Sequence, residues 1–351
     1  MAVDTSTPAV APKEVGRPRR SVLHRPEWGA FAGALIVWGI FAVIAGHRGF
    51  LTGLGTVNYL QVAAELGIVV VPVCLLMIAG EFDLSVGATV AASGVIVAYL
   101  VVNEKWDVGP AVAVAFGVAL LIGLFNGLVT VRLGVPSFIV TLASHFMILG
   151  ALVAYTTVLT GTTFIEGFPQ NPAGNAGRGI IGHALTGFVG TVPASVFWWI
   201  GLTLVGTWIL GKTAFGNWIY AAGGNPGAAR NMGVPIGRVK ILLFISTAFA
   251  ATLLGVLQLL ENGSGNVTNG VGLEFEAIAA TVIGGTLLTG GYGSAIGAAL
   301  GTFVFGVVSE GIFFTGINSN WFQAILGVML LGAVLVNQVI RQQLNRARNA
   351  R

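Results

Sequence analysis

Hydrophobic residues make up 55% of the 351 positions and only 9% are charged, with a mean hydropathy of +0.87. This excludes an ordinary soluble domain, in which roughly 25% of residues carry charge. The basic residues behind the formal charge of +4 sit in short stretches between apolar runs, which is a topology signal and not a nucleic-acid footprint. A single cysteine, Cys74, excludes an intrachain disulfide and a cysteine-based metal cluster.

Residues 1–27 are polar and basic (Lys13, Arg17, Arg19, Arg20, Arg25), with no apolar period to build a core, and predict a disordered cytoplasmic tail. The apolar run over 28–46 is longer than the core of a signal peptide and reads as a first crossing. At about 20 residues per crossing, further spans fall over 56–79, 84–102, 110–131, 137–160, 192–210, 239–260, 275–288, 293–315 and 321–340. The fold class expected is therefore an all-α polytopic membrane protein of about ten transmembrane helices, occupying 28–340. The eighth segment is short and runs into Gly290-Gly291-Tyr292-Gly293, the pattern of a broken or re-entrant crossing. A basic cytoplasmic tail over 341–351 closes the chain.

Ten crossings place both termini on one side. The five basic residues of the first tail, Arg132, Lys212, Arg230, Arg238, Lys240, Arg341, Arg346, Arg348 and Arg351 then fall inside, against Arg48, Lys105 and Arg178 outside. Fourteen against three puts both ends in the cytoplasm. The longest outer connection, 161–191, is rich in Gly, Pro and Asn and exceeds usual loop lengths, as a partner-facing surface would.

The stretch over 211–240, GKTAFGNWIYAAGGNPGAARNMGVPIGRVK, is a basic island with no acidic residue between two apolar runs. Asn225-Pro226 supplies a helix cap and first position, and Gly233 followed by Pro235 a stop, predicting one short helix on the cytoplasmic face. A component outside the membrane is expected to read it.

Glu81-Phe82-Asp83-Leu84-Ser85-Val86-Gly87 places two carboxylates and a serine between apolar runs with almost no loop around them. Intramembrane carboxylates are costly and usually functional, which makes Glu81, Asp83 and Ser85 candidates for a translocation path or gate. The competing reading is a turn in which Asp83 or Ser85 caps the next helix. Glu65, Asn126, His145, Gln258, Glu274, Glu276 and Glu310 are further polar positions in or near apolar spans, of which Asn126 and Glu276 join the path candidates. For His145 an interhelical hydrogen bond is expected. No second histidine or cysteine stands at ligand spacing, so no metal site is expected. Gly293, Gly297 and Gly301 form a double GxxxG, a close helix-packing face. The surrounding GGTLLTGGYGSAIG lacks the Gly-Lys-Ser/Thr of a phosphate loop, and no nucleotide site is expected in this chain.

Several long motifs in one order carry a family resemblance: GEFDLSVG at 80–87, FNGLVTVRLGVPSFIVTLA at 125–143, AAGGNPGAARNMGV at 221–234 and EAIAATVIGGTLLTGGYGS at 276–294. Over 58–340 the chain resembles the permease subunits of the ribose/xylose/galactose branch of bacterial ABC importers. The resemblance implies a homodimeric, multi-pass subunit of the bacterial plasma (inner) membrane. It also implies a cytoplasmic ATPase partner that binds the ATP, and a periplasmic or lipid-anchored sugar-binding protein. It implies no cofactor bound by the chain itself and no nucleic-acid partner. The loop over 211–238 is similar to the coupling helix of such permeases, through Asn225, Pro226, Gly227, Ala228, Ala229, Arg230 and Gly233. Gly227 stands where the broader Glu-Ala-Ala-x-x-x-Gly pattern has glutamate, which removes one salt bridge to an ATPase.

The expected function is translocation of a monosaccharide or related polyol. The alternatives are a branched-chain amino-acid permease of similar helix count and a proton-coupled secondary transporter using Glu81, Asp83 or Glu276, which would have no need of a coupling loop. No nucleophile and base at recognisable spacing supports an enzyme. The topology is tested by single cysteines in a Cys74→Ala background: Gly174→Cys should react with an impermeant thiol reagent in intact cells and Gly224→Cys should not. Equal outside labelling of both would overturn the ten-span arrangement.

Overall fold

The computed structural model describes residues 26–168, 188–189 and 192–349. The tail expected over 1–27 lies almost wholly outside the described residues, as does most of the connection over 161–191. The chain runs α1 (Pro26–Ala45), α2 (Gly53–Ile78), α3 (Val86–Val102), α4 (Val108–Leu133), α5 (Ser137–Thr160), α6 (Ala194–Lys212), α7 (Ala214–Gly224), α8 (Pro226–Asn231), α9 (Ile236–Asn262), α10 (Leu273–Ile283), α11 (Ala295–Thr315) and α12 (Phe322–Asn349). Four two-residue strands form two small antiparallel pairs, Phe164–Ile165 with Gly265–Asn266 and Phe188–Val189 with Val192–Pro193.

Among the described residues seven helices are long and apolar enough to cross a membrane: α1, α2, α4, α5, α6, α9 and α11. Two shorter apolar helices, Val86–Val102 and Phe322–Leu335, add to them. The chain is thus a polytopic, mostly helical membrane protein. α1 starts at Pro26, inside the expected tail, and α12 continues to Asn349, through most of the stretch expected to form the closing tail.

α2 is the centre of the bundle. Every residue from Leu66 to Ala79 is buried, and α6, α9 and α11 pack around it. Close approach depends on glycines at the crossings. A Cβ on Gly255 of α9 would lie 2.1 Å from the Ser93 hydroxyl oxygen and 2.2 Å from the Val90 carbonyl oxygen of α3. A Cβ on Gly301 of α11 would lie 1.9 Å from the Ala280 carbonyl oxygen of α10, and one on Gly297 2.2 Å from that of Gly284. Gly293 does not share this helix face. It precedes the helix cap Ser294 and lies against Thr286, so the spacing read as a double GxxxG is one helical pair and a turn residue.

The segment between α9 and α11 is not a continuous helix. After α9 the chain descends beside α3 in non-helical form: Gly265 lies against Gly94, Val95 and Ala98, and Gly270 against Gly87 and Val90. It then enters α10, whose 11 residues extend roughly 16 Å. That is about half of a hydrocarbon core of roughly 30 Å.

Gly301→Ala should push α10 and α11 apart and cost about 1–3 kcal/mol, seen as a lowered melting temperature of the detergent-solubilised protein. Gly117→Ala and Gly150→Ala, at positions where a Cβ meets nothing within 4 Å, should leave it unchanged.

Candidate functional site

Between α2 and α3 the chain leaves helical geometry over 81–83, and Asp83, Leu84 and Ser85 are all buried. Non-helical backbone inside a membrane bundle must find partners for its N–H and C=O groups. Here α5 supplies them from Ser137, Thr141 and His145, which recur at the spacing of one helix face. The Ser137 hydroxyl accepts from Phe82 N at 3.1 Å and the Thr141 hydroxyl from Leu84 N at 3.0 Å. His145 Nδ1 pairs with the Leu84 carbonyl at 3.0 Å, so the bond runs to the α2–α3 connection and not to a second helix as expected.

Asp83 is 2% exposed and fully engaged. Its Oδ1 accepts from Ser85 N at 2.9 Å and from Ser85 Oγ at 2.6 Å, and its Oδ2 from Thr247 Oγ1 at 2.5 Å. Asn126 Nδ2 donates to Ser85 Oγ at 2.9 Å, and Ser144 Oγ donates to Asn126 Oδ1. Thr247 lies eleven residues into α9 (236 to 247), about 16 Å from its start. The Asp83 network therefore sits deep in the bundle and ties the α2–α3 connection to α4, α5 and α9. Ser85 stands at the cap position of α3 without a side-chain cap bond, because its hydroxyl is committed to Asp83.

Of the other path candidates, Glu81 forms an ion pair with Lys240 at the start of α9, both side chains being largely buried. Glu276 is half-buried in the first turn of α10 and joins none of the Asp83 bonds. Its neighbour Glu274 is 5% exposed, lies against Gly87, and has one carboxylate oxygen without a hydrogen-bond partner. The structure thus brings Asp83, Ser85 and Asn126 together and leaves Glu81 and Glu276 apart. Sequence reasoning passed over Thr247, Ser144, Ser137 and Thr141. The hydroxyls at one-turn spacing on α5 were the signal available for three of these.

The basic island folds differently from the single short helix expected. It forms two helices, α7 and α8. Thr213 caps α7 by accepting from Gly216 N at 3.0 Å, and Asn225 caps α8 by accepting from Ala228 N at 3.0 Å, with Pro226 in its first turn. Gly233 follows α8 at φ +79°. Gly227, Ala228, Arg230 and Asn231 are exposed and Met232 is 84% exposed, but Ala229 is buried among the core residues of the bundle. A six-residue helix resting on the bundle must turn one side inward, and that side carries Ala229.

α7 connects this surface to the core at a glycine junction. Gly291 N donates to the Ile78 carbonyl at 2.8 Å. A Cβ on Gly223 would lie 1.9 Å from the same oxygen, and one on Gly290 2.9 Å from the Cα of Gly80. Gly290 and Gly291 adopt φ +78° and +76°, a conformation that side chains disfavour. Beside the junction Tyr220 donates its hydroxyl to the Gly293 carbonyl at 2.8 Å; burial pushes this phenol up to about 12, so it keeps its proton.

Comparison with known proteins adds to this geometry. A family profile described as branched-chain amino acid transport system / permease component matches residues 55–334. The chain is 33% identical to the ribose import permease protein RbsC of Escherichia coli K12, over 82% of this chain and 87% of that protein. It is 36% identical to the xylose/arabinose import permease protein XylH of Sulfolobus acidocaldarius, over 82% and 77%. It is 33% identical to the probable ABC transporter permease protein YphD of Escherichia coli K12, over 98% and 99%. No solved structure matches the chain.

Asp83→Ala would strand the buried donors of Ser85 and Thr247, each at a cost of about 1–3 kcal/mol, and should lower the melting temperature in detergent together with substrate uptake. Thr247→Val removes one donor only and should lower both by less. A protein with Asp83→Ala that melts and transports like the wild type would show the network to be dispensable.

Proposed function

We infer the function of this chain from the family to which it belongs, that of the branched-chain amino acid transport system / permease component. It is a permease subunit of an ABC transporter and not an enzyme. Within that role, it translocates a monosaccharide or related polyol into the cell, with ATP hydrolysed on a separate ATPase subunit and substrate delivered by a binding protein. The observation that carries the sugar reading is that permeases named for ribose and for xylose/arabinose align over about four-fifths of the chain. The family description names branched-chain amino acids, yet the relatives compared are named for ribose, for xylose/arabinose, for autoinducer 2 or for no substrate, and none for an amino acid. A proton-coupled carrier is disfavoured by family membership, and by the commitment of Glu81 to Lys240 and of Asp83 to Ser85 and Thr247.

The segment from Asn225 to Gly233 is proposed to dock on the ATPase. Its outward surface is Gly227, Ala228, Arg230 and Met232, while Ala229 anchors it inward. The positive-inside count supports a cytoplasmic position for this end of the bundle and for both termini, in the plasma (inner) membrane. The short helix α3 and the apolar part of α12 (Phe322–Leu335), together with the non-helical descent that continues into α10, complete the ten crossings. The last of these is the re-entrant or broken segment. A second copy completes a homodimeric pore.

Placing a charge in the docking surface tests the arrangement. Ala228→Glu would put an unpaired carboxylate into a partly desolvated interface at a cost of about 2 kcal/mol or more, so co-purification of the ATPase should fall at least ten-fold while the permease still inserts. Undiminished co-purification with full transport would remove the coupling assignment. The substrate class is checked by uptake of labelled ribose and xylose in cells carrying the complete importer, with leucine as competitor. Inhibition by leucine and not by sugars would overturn the sugar reading.

A further inference from the structure

The inner length of α2 is buried from Leu66 to Ala79, but its first half opens. Asn58, Gln61 and Glu65 are half-buried and recur at intervals of three and four residues, which places them on one helix face. Gln258 and Glu261 near the end of α9, also half-buried, meet that face. Gln61 Nε2 donates to Glu65 Oε1 at 3.2 Å and to Glu261 Oε2 at 3.1 Å, and Gln258 Nε2 donates to Glu65 Oε2 at 3.2 Å. The stripe begins near the end of the bundle opposite α8. It reaches Glu65, twelve residues into α2 (53 to 65), about 18 Å along a crossing helix.

Two carboxylates and three carboxamides along this stripe cannot face lipid, since hydrocarbon offers them neither hydration nor partners. They open onto water, a solute or another copy of the chain. A second copy packed on this face about a two-fold axis would set Glu65 and Glu261 against their own duplicates, like charge on like charge. A bound cation fits poorly as well. Both oxygens of Glu65 already accept amide hydrogens, and among the described residues no group of three or more His, Cys, Asp or Glu could hold a metal ion. Both amide hydrogens of Gln61 and one of Gln258 are committed to the carboxylates, which leaves the carbonyl oxygens of Gln61 and Gln258, the second oxygen of Glu261, the second amide hydrogen of Gln258 and the carboxamide of Asn58 to meet a solute. A mostly neutral array of acceptors and donors in a half-open cleft suits a solute whose rim is made of hydroxyls, each of which both donates and accepts.

We propose that Asn58, Gln61 and Glu65 of α2 with Gln258 and Glu261 of α9 form a hydroxyl-binding station in the outer half of the translocation path. The station deepens the sugar-permease reading and rests on it. It holds a polyol transiently by several weak hydrogen bonds, and it discriminates between polyols by hydroxyl pattern.

The test uses the whole importer, with labelled D-ribose and D-xylose and their monodeoxy analogues as probes. Gln61→Leu and Gln258→Leu should lower uptake of the parent sugar at least ten-fold and bring the parent-to-deoxy uptake ratio towards one, while ATPase co-purification stays at the wild-type level. Glu65→Gln, which keeps an acceptor oxygen, should retain uptake within about three-fold. Wild-type uptake and wild-type discrimination in both leucine variants would overturn the station. So would loss of transport in Glu65→Gln combined with dependence of wild-type uptake on sodium or on the proton gradient, which would mark a cation site. If the wild-type importer moves neither sugar but moves leucine, the underlying sugar reading fails. That outcome is separable from failure of the station, because it appears without any substitution.

Discussion

The structure depends on one constraint: a short length of non-helical backbone is held inside a bundle of membrane helices, where water cannot satisfy it. The segment from Glu81 to Ser85 could not remain there without donors and acceptors from its neighbours. α5 provides a hydroxyl for each of two backbone N–H groups and an imidazole nitrogen for a carbonyl. Asp83 folds back on Ser85 and reaches Thr247 on α9. What a local reading takes for a helix cap is a junction that holds four elements in register, and the helix that follows begins deep in the bundle instead of at its surface.

A second junction lies nearer the surface that carries α8. Gly80, Gly223 and Gly290–Gly291 let the end of α2, the end of α7 and the turn after α10 meet at backbone distance. The Glu81–Lys240 pair closes the same region from the side of α9. A displacement of α8 and α7 would therefore be delivered to the end of the central helix, and through the adjoining connection to the Asp83 network. This is a contiguous packed route between the exposed surface and the interior, made by the omission of side chains at contacts where any Cβ would collide.

The two polar groups inside the bundle differ in kind. Around Asp83 the carboxylate and both hydroxyls are paired and buried, which suits a joint that holds helices together. Along the outer half of α2 the carboxylates are paired with amides while acceptor oxygens remain open at a half-exposed face, which suits a surface that exchanges partners. The same residue types thus serve cohesion in one place and recognition in another, and burial with partner inventory separates them.

Composition and hydropathy alone determined the membrane class and most of the crossing segments, since these depend on transfer of each segment from water to lipid. The capped start of α8 at Asn225-Pro226 was also legible, because a cap bond spans only three residues. Contacts between distant parts of the chain were not legible. Asp83 and Thr247 are 164 residues apart and Phe82 and Ser137 are 55 apart, and no local period connects them. The same holds for the inward turn of Ala229, the extra helix α7, the displacement of Gly293 from the α11 face and the interruption before α10. Each is decided by which neighbour occupies the adjoining space. Local spacing states which groups need partners, and only the tertiary arrangement states which partners come within reach.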